Sequence, residues 1–439
     1  MSALETGSRI AVIGAGISGH SAAWLLSQRH GVTLFEREGR LGGHSNTRDI
    51  MVGGREVAVD TGFIVFNEAT YPNLIALFAH LKVETYPTDM SFAVSLDDGR
   101  LEYAGNDLKS LFAQKRNLIS PRFWKMLIDL MRFYRDAPAL ADAAEDLTLD
   151  AFLDAHGYGR SVREDHLYPM AAAIWSTPSA EVGAQPAAAF IRFCQNHGLL
   201  QVSNRPLWRT VKGGSRAYVE ALRKASRATA HINAEVVQVK RDAEGVSVIT
   251  KDGSEARFDH VVFACHADEA LRMLAEPTAD EHALLSPFRY APNIAYLHSD
   301  VSQMPKRKAV WSSWNYLARG QGDARELTCS YWMNRLQDLG TDTPVIVTLN
   351  PMDKPREDLT QAVISYEHPQ FDMATLAAQK ALWRLQGVQN TWFCGAHFGA
   401  GFHEDGLQSG LAVAEALGGV LRPWQVEAQN GRIVALAGR

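Results

Sequence analysis

Cysteine is scarce. The 439 residues hold four, Cys194, Cys265, Cys329 and Cys394, and no two of them form a C-x-x-C pair. That spacing argues against a zinc ribbon or a disulfide scaffold and points to reduced thiols in a cytoplasmic protein. A basic excess is missing too. Lys and Arg number 44 against 49 Asp and Glu, a formal net charge of −5, whereas a nucleic-acid footprint needs a surplus of cations. No apolar run reaches the roughly 18 residues of a membrane-spanning helix, so none is expected. Met1 to Ser8 has no basic n-region, and glycines break the apolar stretch after it, so the start reads as mature protein rather than signal peptide. Neither a Ser-His-Asp pattern nor a metal-ligand cluster stands out, and no metal site is expected.

What is present is a glycine-rich cradle near the start. Ile10 to Ile13 form a short apolar run suited to a buried parallel strand, and Gly14-x-Gly16-x-x-Gly19 follows at once. The first glycine permits a tight turn, the second lets a pyrophosphate approach the backbone, and the third lets a helix from about Ile17 pack on the strand. Unpaired N–H groups at that helix start, around Ile17 and Ser18, then face phosphate oxygens. Val32 to Phe35 make a second strand. Glu36 lies 22 residues beyond Gly14, close to the roughly 20 expected of an acid that binds ribose hydroxyls. These features read as dinucleotide binding and do not by themselves separate NAD from FAD.

The length suggests two domains. Leu74, Leu77, Phe78 and Leu81 fall at helical spacing, and Tyr168 to Trp175 and Ala184 to His197 read as helices, the first ending near Thr177–Pro178. From Asp107 to Asp136 seven bases alternate with aromatic and aliphatic residues. Such a region either lies on an anionic membrane surface or forms an ordinary helix pair with a solvated basic face. Val236 to Val239 and Val246 to Thr250 alternate as paired strands, and His260 to Cys265 is a continuous apolar strand. Cys265 beside His266 reads as packing rather than as a nucleophile. Strands are expected over 294–298, 309–316, 327–333 and 345–349. Trp392 to His397 reads as a final strand that delivers a helix opening in Gly401 to Gly410.

The segment Arg37-Glu38-Gly39-Arg40-Leu41-Gly42-Gly43-His44 resembles the R-x-G-G turn of the amine oxidase, phytoene desaturase and protoporphyrinogen oxidase superfamily of flavoproteins. The resemblance implies FAD, with Arg40 on its pyrophosphate, Arg37 and His44 beside it, and Gly42 and Gly43 running past the flavin. It implies that the backbone at Val236 and Val237 reaches the adenine. The C-terminal strand and helix resemble the superfamily's second flavin-binding motif, which assigns Gly395, Ala396, Gly406, Leu407 and Ser409 to the cofactor. Many members carry an acid where this chain has Ala396, so the missing contact is expected from Glu404 or Asp405. More narrowly, GGHSNT, DTGFIVFN, WSSWNY, YWMNRLQ, EHPQFD and GFHEDGLQSG resemble flavoproteins associated with cyclopropane-fatty-acid synthases.

The resemblance implies an α/β fold. A discontinuous Rossmann-like FAD-binding domain is expected from 1–66, 206–275 and 386–439, with an α+β substrate domain from 67–205 and 276–385. It implies an FAD-dependent oxidoreductase that takes hydride from a lipophilic substrate such as a fatty acyl chain. The alternatives are a redox-neutral double-bond isomerase and a non-catalytic partner of a lipid methyltransferase. Asn315, Tyr331, Trp332 and His397 are the expected pocket residues.

Overall fold

The computed structural model describes residues 7–175, 182–196, 198–201, 205–320 and 325–435. A five-stranded parallel sheet runs in the order Thr229–His231, Gly31–Phe35, Arg9–Ile13, His260–Phe263, Thr391–Phe393. Ile10 pairs with Val32 on one side and His260 on the other. Both faces of this sheet are covered, which is why Ile10–Ile13 and Val261–Phe263 in its central strands are apolar and buried.

On one face lie the helices Ile17–Leu26 and His403–Gly418. Every residue of the first is buried. The two helices approach closely because a Cβ on Gly410 would lie 2.2 Å from the Ser18 carbonyl oxygen, so only glycine fits there. On the other face sits an antiparallel meander, Val236–Asp242, Gly245–Thr250 and Glu255–Phe258, whose Val239, Val248 and Phe258 pack with Ile13 and Phe263.

A seven-stranded mixed sheet runs in the order Thr360–Gln370, Arg289–His298, Ile346–Leu349, Glu326–Trp332, Trp314–Arg319, Phe92–Leu96, Leu101–Ala104. Only the pair Trp314–Arg319 and Phe92–Leu96 is parallel among these neighbours. Helices Pro121–Leu140, Leu149–Ala155, Tyr168–Trp175 and Ala187–Asn196 cover part of it, with Phe133, Phe152 and Phe190 fully buried between them. Ser120 caps the longest helix by accepting from Phe123 N at 3.3 Å, and Pro121 occupies the first turn, where its missing N–H costs nothing.

Two elements differ from the sequence reading. The strand expected over 309–316 begins only at Trp314, because Lys308–Val310 forms a 3₁₀ turn. Asn315 closes the bend after it, accepting from Ser312 N at 2.9 Å and donating to Ser312 O at 2.6 Å. Within 67–205, where the sequence reading named helices alone, strands are present as well. Phe92–Leu96 and Leu101–Ala104 form a hairpin turned through Asp97, Asp98 and Gly99 at positive φ, and the rest of the mixed sheet lies far away in sequence. A further small sheet pairs Trp208–Val211 with Phe66–Asn67 and Thr85–Thr88, so it crosses the expected boundary at 66/67. The expected helix stop at Thr177–Pro178 lies outside the described residues.

Candidate active site

The parallel sheet ends at a cavity of about 1060 Å³ that continues under the mixed sheet and the helical layer. That exceeds the ~300–1,000 Å³ of a pocket for one drug-sized ligand, so there is room for a dinucleotide and a substrate.

The cofactor end is built by glycine turns. Gly14 has φ +100°, and a Cβ there would lie 2.7 Å from Ala264 O, while one on Gly19 would lie 1.9 Å from Gly14 O. Gly19 is thus a packing residue and does not line the cavity. Gly16 is different: a Cβ there meets nothing within 4 Å, and the residue lines the open space with Ile17 and Ser18. The second turn docks on the first, Gly42 N donating to Ala15 O at 2.9 Å. Gly16 is also the N-cap of a helix that has no side-chain cap, which leaves its first N–H groups to an anion in the cavity.

Charged groups surround this cradle. Glu36 accepts from Ala15 N and Glu38 N, both at 2.9 Å, and faces the cavity. Burial pushes its carboxyl above the usual range, while those two hydrogen bonds oppose the shift. Arg40 lines the cavity, held by Glu38 at 2.9 Å and Ser45 O at 3.3 Å. Arg37 is paired with Glu269 at the rim. Val236 and Val237, expected beside the adenine, line the same cavity. An uncapped helix start, open space at a glycine, a buried acid and a fixed cation together fit a dinucleotide.

The other expected positions divide. Gly42, Gly43, His44, Gly395, Ala396, His397 and Tyr331 line the cavity. Glu404 and Asp405 do not, and the expectation that they replace the missing acid is corrected. Glu404 is buried and caps the helix Pro72–Leu81, accepting from Asn73 N and Leu74 N at 3.0 Å. Asp405 accepts from Phe402 N at 2.7 Å and pairs with Arg432 at 2.6 Å. Gly406 and Ser409 serve packing: a Cβ on Gly406 would lie 2.8 Å from Ser18 Oγ, and Ser409 Oγ bonds Gly395 N at 2.9 Å. Leu407 is core.

Asn315 and Trp332 likewise lie off the cavity. Asn315 has its amide engaged by Ser312 and Ser330, and Trp332 packs edge-on against Trp311 at 5.3 Å. Alternation along a strand explains both, since Trp314 and Tyr331, their immediate neighbours, face the cavity instead.

Sequence reading missed several lining residues. His403 stacks on Phe63 with ring centroids 3.8 Å apart, and its Nε2 lies 2.7 Å from the Tyr218 hydroxyl, which is 2.5 Å from Ser45 Oγ. It sits inside the GFHEDGLQSG motif. Its signal was the helix start itself, because the first residue of the helix, not the second or third, faces the cavity. His266 and His368 also line it, beside the expected His44 and His397. Burial pushes His397 and His403 down to about 3 and His368 to about 4, so all three are neutral near pH 7 and act as hydrogen-bonding groups rather than cations. His397 Nε2 is buried with no hydrogen-bond partner among the described residues. His266, Glu269 and Glu367 place ligand-type atoms within 4.8 Å of one another, but Glu269 is engaged by Arg37 and His266 stacks on Tyr290 at 3.9 Å.

Residues 17–365 match the family model described as flavin containing amine oxidoreductase. No curated protein sequence matches the chain. Among solved structures, the chain is similar to the CLA-producing fatty acid isomerase from P. acnes (16% identity, TM-score 0.66, covering 94% of this chain and 98% of that one). It is similar to cyclohexylamine oxidase from Brevibacterium oxydans IH-35A (17%, TM-score 0.64, 94% and 99%). It also resembles putrescine oxidase bound to putrescine (15%, TM-score 0.63, 93% and 98%). With the family match spanning most of the chain and the cradle fitting a dinucleotide, the chain belongs to the flavin-containing amine oxidoreductases and is an FAD-dependent oxidoreductase.

Proposed function

We propose that the substrate is lipophilic, a fatty acyl chain, oxidised by hydride transfer. One observation carries this reading. The cavity lining contributed by Met90, Phe92, Met170, Phe193, Leu199 and Trp314 is apolar, and the further lining residues Ser91, Trp208, Tyr331 and Leu349 are uncharged. A cationic amine would need a carboxylate there, since burying an unpaired ammonium is costly. An acyl chain needs only apolar surface.

In this reading the turn Gly14–Ser18 and Arg40 hold the pyrophosphate, and Glu36 holds the ribose. Val236 and Val237 flank the adenine, and Gly43, Ala396 and His397 border the flavin end. FAD, when bound, supplies the hydride acceptor. The chain's own residues position and desolvate. Trp314 and Tyr331, edge-to-face at 5.3 Å, form a rigid wall that orients the substrate. Burial pushes the Tyr331 hydroxyl far above its usual range, so it stays protonated and donates. His397 offers a neutral imidazole nitrogen, and the apolar wall excludes water.

Anaerobic mixing of the holoprotein with fatty acids tests the reading: lasting loss of the oxidised flavin spectrum supports it, and no bleaching with any acyl chain overturns it. Redox-neutral double-bond isomerisation is the second reading, favoured by the likeness to a fatty acid isomerase. It predicts a shifted double bond with the flavin oxidised at the end. The proposal extends to three further points. The quoted motifs support functional association with a cyclopropane-fatty-acid-synthase-like methyltransferase. Four unpaired thiols support a cytoplasmic location. The parallel and the mixed sheet support division into the cofactor and substrate domains expected from the sequence, with the small sheet of Phe66–Asn67, Trp208–Val211 and Thr85–Thr88 joining them.

A further inference from the structure

We propose that the surface formed by residues 108–131 docks on an anionic lipid bilayer. Six large apolar side chains are exposed in this stretch. Leu108 is 75% exposed, Ile119 84% and Ile128 65%, and Leu118, Trp124 and Met131 are each 44–53% exposed. On the helix Pro121–Leu140, Trp124, Ile128 and Met131 fall at the i, i+4, i+7 spacing of one face. The short turns before the helix are joined to that face. Trp124 Nε1 donates to Leu118 O at 2.9 Å, and Phe112 packs on the Trp124 ring at 5.6 Å. The apolar groups are therefore one patch rather than scattered surface residues, and a patch of this kind marks an interaction site.

The charge around it selects the occupant. Residues 107–135 hold seven bases and two acids in a chain whose net charge is −5. Arg122, Arg132 and Arg135 are engaged by Asp165, Asp129 and Asp136. Lys109, Lys115 and Arg116 form no ion pair among the described residues, and Lys125 reaches Asp129 only at 3.9 Å. A second copy of the chain meeting this face about a two-fold axis would set cations against cations. A bilayer of anionic lipids answers both features, taking the apolar side chains into the boundary of headgroup and acyl chain while its phosphates meet the lysines. No helix among the described residues is long and apolar enough to cross a membrane, so the contact is a surface one. The inner face of the same helix carries Phe123, Met126 and Phe133, which share one core with Met170 and Phe193 of the cavity wall. The helix that carries the surface thus shares a core with part of the cavity wall, and the docking proposal stands on this surface whatever the substrate.

The test uses the full chain loaded with FAD, sedimented with vesicles of phosphatidylglycerol and phosphatidylcholine or of phosphatidylcholine alone. Binding is expected to the mixed vesicles, to weaken as salt rises, and to be absent with the neutral ones. Lys109→Glu and Lys115→Glu should each weaken it by roughly fivefold or more, and Ile119→Glu with Ile128→Glu should abolish it. Unchanged flavin absorbance and thermal unfolding show that each variant is folded. The proposal is overturned if the wild type does not sediment with anionic vesicles. It is equally overturned if these variants bind like wild type, or if they change the oligomeric state in sedimentation velocity without changing vesicle binding.

Discussion

A Cβ placed on Gly43 would lie 3.0 Å from the Cα of Gly16, so the two glycine turns that frame the cofactor end of the cavity touch backbone to backbone. Gly43 also has φ +55°, which disfavours any side chain. The cradle is thus one object made of two turns, and a substitution in the second displaces the first.

Gly43→Ala is expected to weaken FAD binding by at least about tenfold, an energy of ~1.4 kcal/mol that matches the strain of one forced contact and one positive φ. Fluorescence titration of FAD into apoprotein measures it. Unaltered affinity would show that the turns do not set the cofactor site.

Tyr218→Phe removes the hydroxyl that lies 2.7 Å from His403 Nε2 and 2.5 Å from Ser45 Oγ. Two buried polar groups lose a partner, so the fold should be destabilised by about 1–3 kcal/mol. Denaturant unfolding of the apoprotein checks this, and a change below experimental error would mean the trio is dispensable.

Glu404→Gln keeps the shape of a side chain that accepts from Asn73 N, Asn73 Nδ2, Leu74 N and Gln408 Nε2. An amide offers one acceptor oxygen where the carboxylate offers two, so a loss of about 1–3 kcal/mol is expected. FAD affinity should hold within about threefold, because the side chain faces the helix Pro72–Leu81 rather than the cavity. A large selective loss of FAD would restore it to the cofactor site.

Stability should fall on acidification below the ordinary histidine value of 6.5. Burial pushes His166 down to about 4, so the unfolded chain binds a proton there that the native state refuses. Its contribution is intact above pH 6.5 and is lost as pH falls toward about 4. The carboxyls of Glu404 and Asp405, raised by burial, act in the opposite sense: their protonated native forms favour folding at low pH, and that benefit is lost as pH rises through their folded values. His166→Gln should reduce the slope of stability against pH by up to about 1.4 kcal/mol per pH unit within the histidine's window. Equal slopes for the variant and the wild type in denaturant unfolding across that window would refute this.

Leu199→Trp fills the apolar end of the cavity. Turnover on long acyl substrates should fall through KM, with the flavin spectrum unchanged. If the spectrum shifts instead, Leu199 borders the cofactor rather than the substrate.

The cradle was readable from the sequence because its determinants are local. Ile10–Ile13, the glycines at 14 and 16, and Glu36 lie within one strand, turn, helix and strand unit, where spacing alone fixes which atoms meet. The helices Pro72–Leu81 and Tyr168–Trp175 followed from periodicity for the same reason. Other features depended on partners distant in the chain. The hairpin Phe92–Leu96 with Leu101–Ala104 is too short to announce itself and is fixed by Trp314–Arg319, more than 200 residues away. Within WSSWNY and YWMNRLQ the sequence placed the aromatics in strands, but only the packing of the mixed sheet decided that Trp314 and Tyr331 face the cavity while Asn315 and Trp332 do not. In GFHEDGLQSG it identified a helix start. Which way that start faces was decided by Asn73 and Arg432, which draw Glu404 and Asp405 away and leave His403 toward the cavity. Sequence spacing determined the cofactor cradle, because covalent neighbours build it. Tertiary structure alone decided the substrate end, because its wall is assembled from segments that touch only once the chain has folded.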